Sequence, residues 1–252
     1  MVVLHILGVM LGIFLCYVLF LFICSLFVNP KKEYGEHSRF YRFLLHQASA
    51  LALKIMRIRV HTEGIDKIPK GTKNLLFVSN HRSNFDPIIT WVVLKEWQIT
   101  FVSKASNFKI PIFGRFIRKC CFMAIDRENP RNALKTIGKA ADLLRKGEVS
   151  IGIYPEGTRS KSGELLPFHN GVFKIAQKAD AAIVVLSIEN TEQIHKNYPF
   201  HHTDIYLKVL DVISPETVKA TKTAGLGDDI RNLLERQLSK GNDSYAEENI
   251  SG

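Results

Sequence analysis

The chain opens on a long apolar run. Residues 2–28 contain no Asp, Glu, Lys or Arg, and this stretch exceeds the roughly 20 residues that an α-helix needs to cross a bilayer. No basic residue precedes the run and no small-x-small cleavage pattern ends it, which argues against a secretory signal peptide. We therefore expect residues 1–28 to form a membrane-anchor helix.

A basic and apolar segment follows, residues 29–58. Between positions 37 and 58, basic residues alternate with large apolar ones, a pattern typical of a helix lying at a bilayer surface. A helix packed on the domain would show the same pattern, and the two N-terminal segments could also form a hairpin dipping into one leaflet. Basic residues beside an anchor favour the cytoplasmic side, which predicts a membrane protein whose domain faces the cytoplasm. These residues are Lys31, Lys32, Arg39 and Arg42.

Short apolar runs alternate with helical patterns over residues 59–240. This alternation predicts one α/β domain with a mixed, largely parallel sheet covered by helices. Residues 241–252 are polar and are predicted to form a disordered tail. Strands are expected near residues 75–78, 99–103, 122–125, 149–154, 183–188 and 205–210, and helices near 87–97, 131–146, 172–179 and 228–238.

A polar motif, Asn-His-Arg-Ser-Asn-Phe-Asp-Pro, follows the first of these strands at residues 80–87. On one continuous helix Asp86 would be rotated about 140° from His81, at roughly 100° per residue. A loop must therefore intervene before the helix, with Ser83 or Asn84 as its cap. Such a loop would bring the carboxylate back to the imidazole, where it would orient the ring and stabilise its protonated form. A histidine that only helps to cap the helix is the alternative.

His61 and Asp66 have the same spacing. Their surroundings indicate a strand end running into a turn, with no buried run before the histidine and no helix start after the aspartate. We therefore do not expect this pair to carry chemistry.

A second motif, Tyr-Pro-Glu-Gly-Thr-Arg-Ser at residues 154–160, also follows a predicted buried strand. Open α/β sheets bind ligands at such strand ends. Gly157 allows a tight turn, Thr158 offers a hydroxyl, and the planar guanidinium of Arg159 can grip a phosphate with two hydrogen bonds. Alternatively, Glu156 and Arg159 pair in a surface turn. The spacing predicts that a base and an anion-binding cation converge at one edge of the sheet.

From about residue 60 to residue 210 the chain resembles the 1-acylglycerol-3-phosphate acyltransferase family of glycerolipid acyltransferases. Members carry a histidine and an aspartate with four residues between them, followed by a Glu-Gly-Thr-Arg block, and both are present here in that order. The family's lysine, proline, glycine and arginine landmarks also have counterparts between the two motifs. These are Phe-Val-Ser-Lys at 101–104, Ile-Pro-Ile-Phe-Gly at 110–114 and Ala-Ile-Asp-Arg at 124–127.

The resemblance implies direct transfer of a fatty acyl group from acyl-coenzyme A or acyl-acyl carrier protein to the sn-2 hydroxyl of lysophosphatidic acid. The product would be phosphatidic acid, formed in phospholipid synthesis without an acyl-enzyme. His81 would act as general base and Asp86 would orient it. Arg159, helped by Arg127 and Lys104, would hold the acceptor phosphate. The predicted phosphate site also includes Glu156, Gly157 and Thr158.

Other expectations concern the surroundings of the base. Backbone N–H groups of the His81 loop could stabilise the oxyanion, and Ser83 is expected to cap the helix rather than to act as a nucleophile. Phe-His-Asn-Gly at residues 168–171 lacks the family's usual lysines, and residues 182–188 lack its prolines, which leaves the acceptor headgroup and the acyl length open. Another lysolipid or glycerol 3-phosphate as acceptor, or a non-catalytic lipid-binding protein, are the alternatives.

The chain carries a formal net charge of +10, which suits anionic lipid and acidic acyl donors. Its basic residues are spread along the sequence rather than gathered in a binding module, which argues against nucleic acid as a partner. Cys16 and Cys24 lie in the apolar run and Cys120 is adjacent to Cys121, so neither a metal site nor a disulfide framework is predicted. We expect no metal and no cofactor.

Overall fold

A single seven-stranded sheet organises the chain. The computed structural model describes the backbone of residues 1–248 and the side chains of residues 1–239. The spatial order of the strands is β1-β7-β6-β2-β5-β3-β4. In chain order they are β1 (Ile58–Glu63), β2 (Leu75–Ser79), β3 (Thr100–Lys104), β4 (Met123–Ile125), β5 (Ile151–Ile153), β6 (Ala182–Glu189) and β7 (Thr203–Ile213).

Five neighbouring strands, from β6 across to β4, run parallel to one another. Strand β7 pairs antiparallel with β6, and β1 runs parallel to β7. The predicted mixed, largely parallel sheet is therefore confirmed, and all six predicted strands are present. The sequence indicated β1 only as a strand end near His61.

Both faces of the sheet are covered, as the apolar character of β2 predicts. Leu75 and Phe77 pack into the core on one face, and Leu76 and Val78 into the core on the other, because successive side chains of a strand point to opposite faces. The helices of the domain are α2 (Arg39–Ile55), α3 (Asp86–Val93), α4 (Phe113–Lys119), α5 (Pro130–Arg145), α6 (Lys174–Ala179), α7 (Ile194–Asn197), α8 (Pro215–Ala220) and α9 (Thr223–Glu248).

Residues Val2–Leu26 form the N-terminal helix α1, which is long and apolar enough to cross a membrane and is almost entirely exposed. Only its C-terminal end rests on the domain, where the Tyr41 hydroxyl donates to the Cys24 carbonyl (2.9 Å) and Arg115 donates to the Ser25 carbonyl (3.0 Å).

Helix α2 has two distinct faces. Tyr41, Leu44, Leu45 and Leu53 are buried against the domain, which is the packing that the sequence left as one alternative. The opposite side carries exposed apolar side chains, as expected of an interfacial helix. We call these residues the α2 stripe: Phe40, Phe43, Leu51 and Ile55.

The C-terminal region differs from the prediction. Helix α9 continues to Glu248, so residues 241–248 of the predicted disordered tail are helical. Residues 249–252 of that tail lie outside the described residues.

Candidate active site

The predicted pair of His81 and Asp86 is brought together. Strand β2 ends at Ser79, residues 80–85 form a loop, and helix α3 begins at Asp86. This loop returns the carboxylate to the ring, so that His81 Nδ1 lies 2.8 Å from Asp86 Oδ2. The His81 side chain keeps 16% of its surface exposed, whereas that of Asp86 is fully buried. One ring nitrogen is thus held by the carboxylate while the other, Nε2, remains available.

Asp86 is the centre of a hydrogen-bond network. Its Oδ2 accepts the backbone N–H groups of Arg82 (2.7 Å) and Ser83 (2.8 Å), and its Oδ1 accepts the Thr191 hydroxyl (2.6 Å). These bonds compensate the buried charge and fix the carboxylate. Three backbone N–H groups that the sequence offered for an oxyanion are thus engaged, those of Arg82 and Ser83 by Asp86 and that of His81 by Glu156.

The start of helix α3 also differs in detail from the prediction. Phe85 rather than Ser83 or Asn84 occupies the N-cap position, and no side chain caps the helix there. The Ser83 hydroxyl accepts the N–H of Phe85 instead (3.3 Å). Asp86, as the first helical residue, accepts loop amides ahead of the helix.

Glu156 has a different role from the predicted one. It is buried, its Oε1 accepts the His81 N–H (2.7 Å), and its Oε2 accepts the Leu166 N–H (2.9 Å). Burial raises the pKa of this carboxyl group, while the two N–H donors act in the opposite direction. A buried carboxylate with both oxygens engaged by backbone amides does not bind a phosphate. Glu156 is therefore a positioning residue for the His81 loop.

Residues 157–159 of the second motif lie nearer the surface, beside His81. Gly157 adopts a left-handed φ of +67°, and a Cβ there would lie 3.0 Å from the His169 ring, so this turn favours glycine. Thr158 and Arg159 are exposed. The Ser160 N–H donates to the His81 carbonyl (2.9 Å), which places Arg159 next to the base. Among the described side chains, no ion pair engages Arg159, and in particular Glu156 does not.

An aromatic stack supports the imidazole from β5. The rings of His81 and Tyr154 are stacked with centroids 4.3 Å apart, and Phe101 lies parallel to Tyr154 at 6.1 Å. Gly152 makes this arrangement possible, because a Cβ there would lie 2.4 Å from the Phe101 ring. Burial, and next the Asp86 carboxylate, raise the pKa of the Tyr154 hydroxyl well above its ordinary value. Tyr154 therefore remains protonated and neutral beside the base.

Lys104 and Arg127 lie on the same edge but farther away. Lys104 ends β3 and is exposed, and Arg127 follows β4 by two residues and is also exposed. Strands β3 and β4 are two and three positions from β2, which corresponds to about 10 and about 14 Å. Arg159 is thus the cation beside His81, and the other two extend a basic edge outward.

The sequence missed three supporting residues. Asn80 exchanges two hydrogen bonds with the backbone of Ile188, at 2.8 and 2.9 Å, and thereby fastens the loop to β6. Thr191 holds Asp86 from a position two residues after β6, and its place at a strand end of the same edge was the available signal. Arg231 of α9 donates to the Leu165 and Leu166 carbonyls, and no local pattern points to this contact.

His61 and Asp66, which were not expected to carry chemistry, do not form a pair. His61 Nε2 bonds to Asp204 (2.8 Å) rather than to Asp66, on an exposed strand.

Cys120 is buried, and burial raises the pKa of its thiol to about 12. Within the described residues, no three His, Cys, Asp or Glu side chains are grouped so as to hold a metal ion.

The fold and this site define an α/β protein with a histidine, oriented by a buried carboxylate, at the carboxyl edge of its sheet. Comparison with known proteins gives the family. The model described as Acyltransferase matches residues 58–189, about half of the chain, and the chain belongs to that acyltransferase family.

Three similar proteins illustrate this relationship. The chloroplast 1-acyl-sn-glycerol-3-phosphate acyltransferase of Arabidopsis thaliana is 34% identical over 54% of this chain, but only 37% of that relative's own length is covered. The Escherichia coli enzyme of the same name is 27% identical over 71% of this chain and 73% of its own. The crystal structure of the 1-acyl-sn-glycerophosphate acyltransferase from Thermotoga maritima, 22% identical, superposes with a TM-score of 0.68 over 90% of this chain and 88% of that one.

Proposed function

We propose that this protein is a membrane-bound 1-acylglycerol-3-phosphate O-acyltransferase. It moves a fatty acyl group from acyl-coenzyme A or acyl-acyl carrier protein to the sn-2 hydroxyl of lysophosphatidic acid and forms phosphatidic acid. The observation that carries the proposal is the short contact between His81 Nδ1 and a fully buried Asp86, with exposed Arg159 next to it. A site that only binds lipid has no need of an oriented base.

The geometry supports a one-step attack. With Nδ1 donating to Asp86, the Nε2 atom of His81 carries a lone pair and takes the proton of the acceptor hydroxyl as its oxygen attacks the thioester carbonyl. The ester C–O bond forms, the C–S bond breaks, and the released thiolate takes the proton back from the imidazolium. Asp86 stabilises the imidazolium between these two events.

Arg159 supplies the binding half of the mechanism. Arg159 is exposed, and the N–H of the next residue, Ser160, donates to the His81 carbonyl, so a phosphate held by its guanidinium with two parallel hydrogen bonds would fix the glycerol backbone near the base. Lys104 and Arg127 lie farther along the edge and add a positive field that attracts the anionic substrates.

Membrane attachment through α1, with the domain on the cytoplasmic face, completes the proposal. Lys31, Lys32 and Arg39 lie at the surface after the anchor, where basic residues favour the cytoplasmic side. Arg42 does not belong with them, because it donates to the Ile99 carbonyl and stacks on Trp91. A membrane-impermeant amine reagent should label the domain in inverted vesicles and spare it in intact cells; labelling in intact cells would refute this orientation.

The decisive experiment supplies the detergent-purified protein with labelled lysophosphatidic acid and each donor in turn. We expect phosphatidic acid from the unaltered protein and nearly none from His81→Ala. The matched control is His61→Ala, since His61 also pairs with an aspartate at 2.8 Å but lies outside the site, and it should transfer normally. Equal transfer by His81→Ala would refute the assignment of the base.

Arg159→Ala tests the acceptor. It should raise the KM for phosphate-bearing acceptors and leave phosphate-free acceptors nearly unaffected, whereas Arg145→Ala, at the far end of α5, should change neither. An equal loss with both kinds of acceptor would show that Arg159 supports the structure instead. Absence of product with either donor, with all acceptors tried, would point to a lipid-binding protein.

A further inference from the structure

The short turn before β7 carries an unusual pair of side chains. Phe200 is 80% exposed, more than any other large apolar residue that the structure describes between residues 27 and 239, and Tyr198 beside it is 39% exposed. Hydrogen bonds fix the backbone of this turn. Arg57 donates to the carbonyls of Pro199 and Phe200 (3.2 Å each), and the His201 N–H donates to Asn197 (2.8 Å). The aromatic side chains are therefore held outward.

This turn forms part of the rim of the His81 site. It follows α7, where His195 packs against Phe85 of the catalytic loop, and Thr191 just before α7 holds Asp86. Because β6 and β7 are antiparallel, the start of β7 lies at the same edge as the end of β6.

The register shows how far the turn projects. Glu189, the last residue of β6, lies opposite Tyr206, so β7 extends three residues farther, or about 10 Å. The turn precedes even that extension. The turn consequently projects beyond the end of β6, at the same edge of the sheet at which His81 is exposed.

The turn also lies near the end of the α2 stripe. Strand β1 begins directly after α2, and its first residue, Ile58, lies opposite Thr203 of β7. The last stripe residue, Ile55, is 49% exposed and lies three residues before that pairing. The C-terminal end of the α2 stripe therefore lies close in the fold to the turn.

Cationic residues lie around the turn and the adjoining end of the α2 stripe. Lys54, Arg57, Arg59 and Lys196 are exposed there, while the nearby Asp204 is already paired with His61 and His202. Aromatic side chains flanked by Lys and Arg suit the headgroup region of an anionic bilayer.

We infer that the turn of residues 198–202 is a second membrane contact, independent of helix α1, that inserts Phe200 into an anionic bilayer and seats the rim of the His81 site on it. A second contact beside the base fixes which edge faces the lipid.

Quenching by brominated lipids tests this contact without relying on catalysis. The full chain would be reconstituted into phosphatidylcholine and phosphatidylglycerol vesicles as the variants Phe200→Trp and Ala220→Trp. Ala220 is exposed and ends α8, at the opposite edge of the sheet. The native Trp91 and Trp97 are buried and contribute the same background to both variants.

We expect the Phe200→Trp emission to shift to shorter wavelength and to be quenched several-fold more than that of Ala220→Trp. Equal quenching of the two variants would overturn the inference. A shift that appears in detergent micelles on raising the protein concentration, without vesicles, would assign the turn to contacts between copies and would overturn it as well.

A second variant guards against insertion caused by the added tryptophan. Phe200→Ser should reduce acyl transfer to acceptor embedded in vesicles while leaving transfer to acceptor in detergent micelles unchanged. Leu134→Ser removes another exposed apolar residue, 53% exposed on α5, and should preserve both rates. An unchanged vesicle rate in Phe200→Ser, or an equal loss in Leu134→Ser, would overturn the inference. This test rests on the proposed function, whereas the quenching test does not.

Discussion

Replacement of Glu156 by glutamine separates a positioning role from contact with substrate. The carboxylate accepts one backbone N–H on each oxygen, at 2.7 and 2.9 Å. A glutamine side chain keeps one acceptor and presents an NH₂ group to the other N–H, so one charge-assisted bond is lost and two donors face each other. A hydrogen bond to a charged group contributes about 1.5–3 kcal/mol, and part of this loss is offset because a buried charge is removed.

We therefore expect Glu156→Gln to lower the free energy of unfolding by about 1–3 kcal/mol. For a chain of this size that is a fall in Tm of about 2–4 °C per kcal/mol. If the His81 loop shifts, kcat falls by up to about a hundredfold, because 1.36 kcal/mol corresponds to a factor of ten in rate. The acceptor KM should change little.

Denaturant unfolding and steady-state kinetics with lysophosphatidic acid measure both effects. Glu189→Gln is the matched control, since Glu189 is equally buried but accepts from the side chains of Ser187 and Gln237 rather than from the catalytic loop. A normal kcat with a changed KM confined to phosphate-bearing acceptors would refute the positioning role and restore the one that the sequence suggested.

The same variant has a pH signature. Burial raises the pKa of Glu156 in the folded state, so just above the ordinary glutamate pKa the folded protein binds more protons than the unfolded chain. The contribution of Glu156 to stability is then present at low pH and is lost as pH rises through the folded pKa. The difference in unfolding free energy between the unaltered protein and Glu156→Gln should therefore decline across that window. A difference that grew with pH would contradict this.

Three further predictions follow from single contacts. Thr191→Val removes the hydroxyl that donates to Asp86 at 2.6 Å and should cost about 1.5–3 kcal/mol in denaturant unfolding and lower kcat; unchanged kinetics would show that Asp86 holds its position without it. Gly157→Ala places a Cβ at a φ of +67° and 3.0 Å from the His169 ring, and should destabilise the fold by about 1–2 kcal/mol from backbone strain alone, which a Tm equal to that of the unaltered protein would contradict. Burial raises the pKa of Cys120 to about 12, so about one thiol in ten thousand is ionised at pH 8. Iodoacetamide should therefore label Cys120 only after unfolding, and rapid labelling of the native protein would contradict this prediction.

The sheet and the pairing of His81 with Asp86 could be predicted because their signals are local. Buried parallel strands are continuous apolar runs, and their carboxyl ends share one edge, so the positions of His81 and Arg159 after such runs sufficed to place them together. The loop between His81 and Asp86 followed in the same way from helix geometry. The α2 helix was harder, because one amphipathic pattern fits both a bilayer surface and a protein surface.

The network around the base could not be predicted in this way, because its partners are distant in the chain. Glu156 belongs to a recognisable motif, but only the folded chain shows that its oxygens meet the N–H groups of His81 and Leu166. Thr191 lies 105 positions from Asp86, and its distance in space depends on β6 lying beside β2.

The sequence by itself thus determined the apolar N-terminal helix, the α/β class and the pairing of His81 with Asp86, since periodicity and strand ends are properties of neighbouring residues. Tertiary structure alone decided which polar groups form hydrogen bonds within the site and which side chains remain exposed. Glu156 and the N–H groups of residues 81–83 are engaged in hydrogen bonds, whereas Arg159 and Phe200 are exposed. The physical reason is that burial and hydrogen-bond satisfaction depend on which segments pack together, and a residue type carries that information only after the chain has folded.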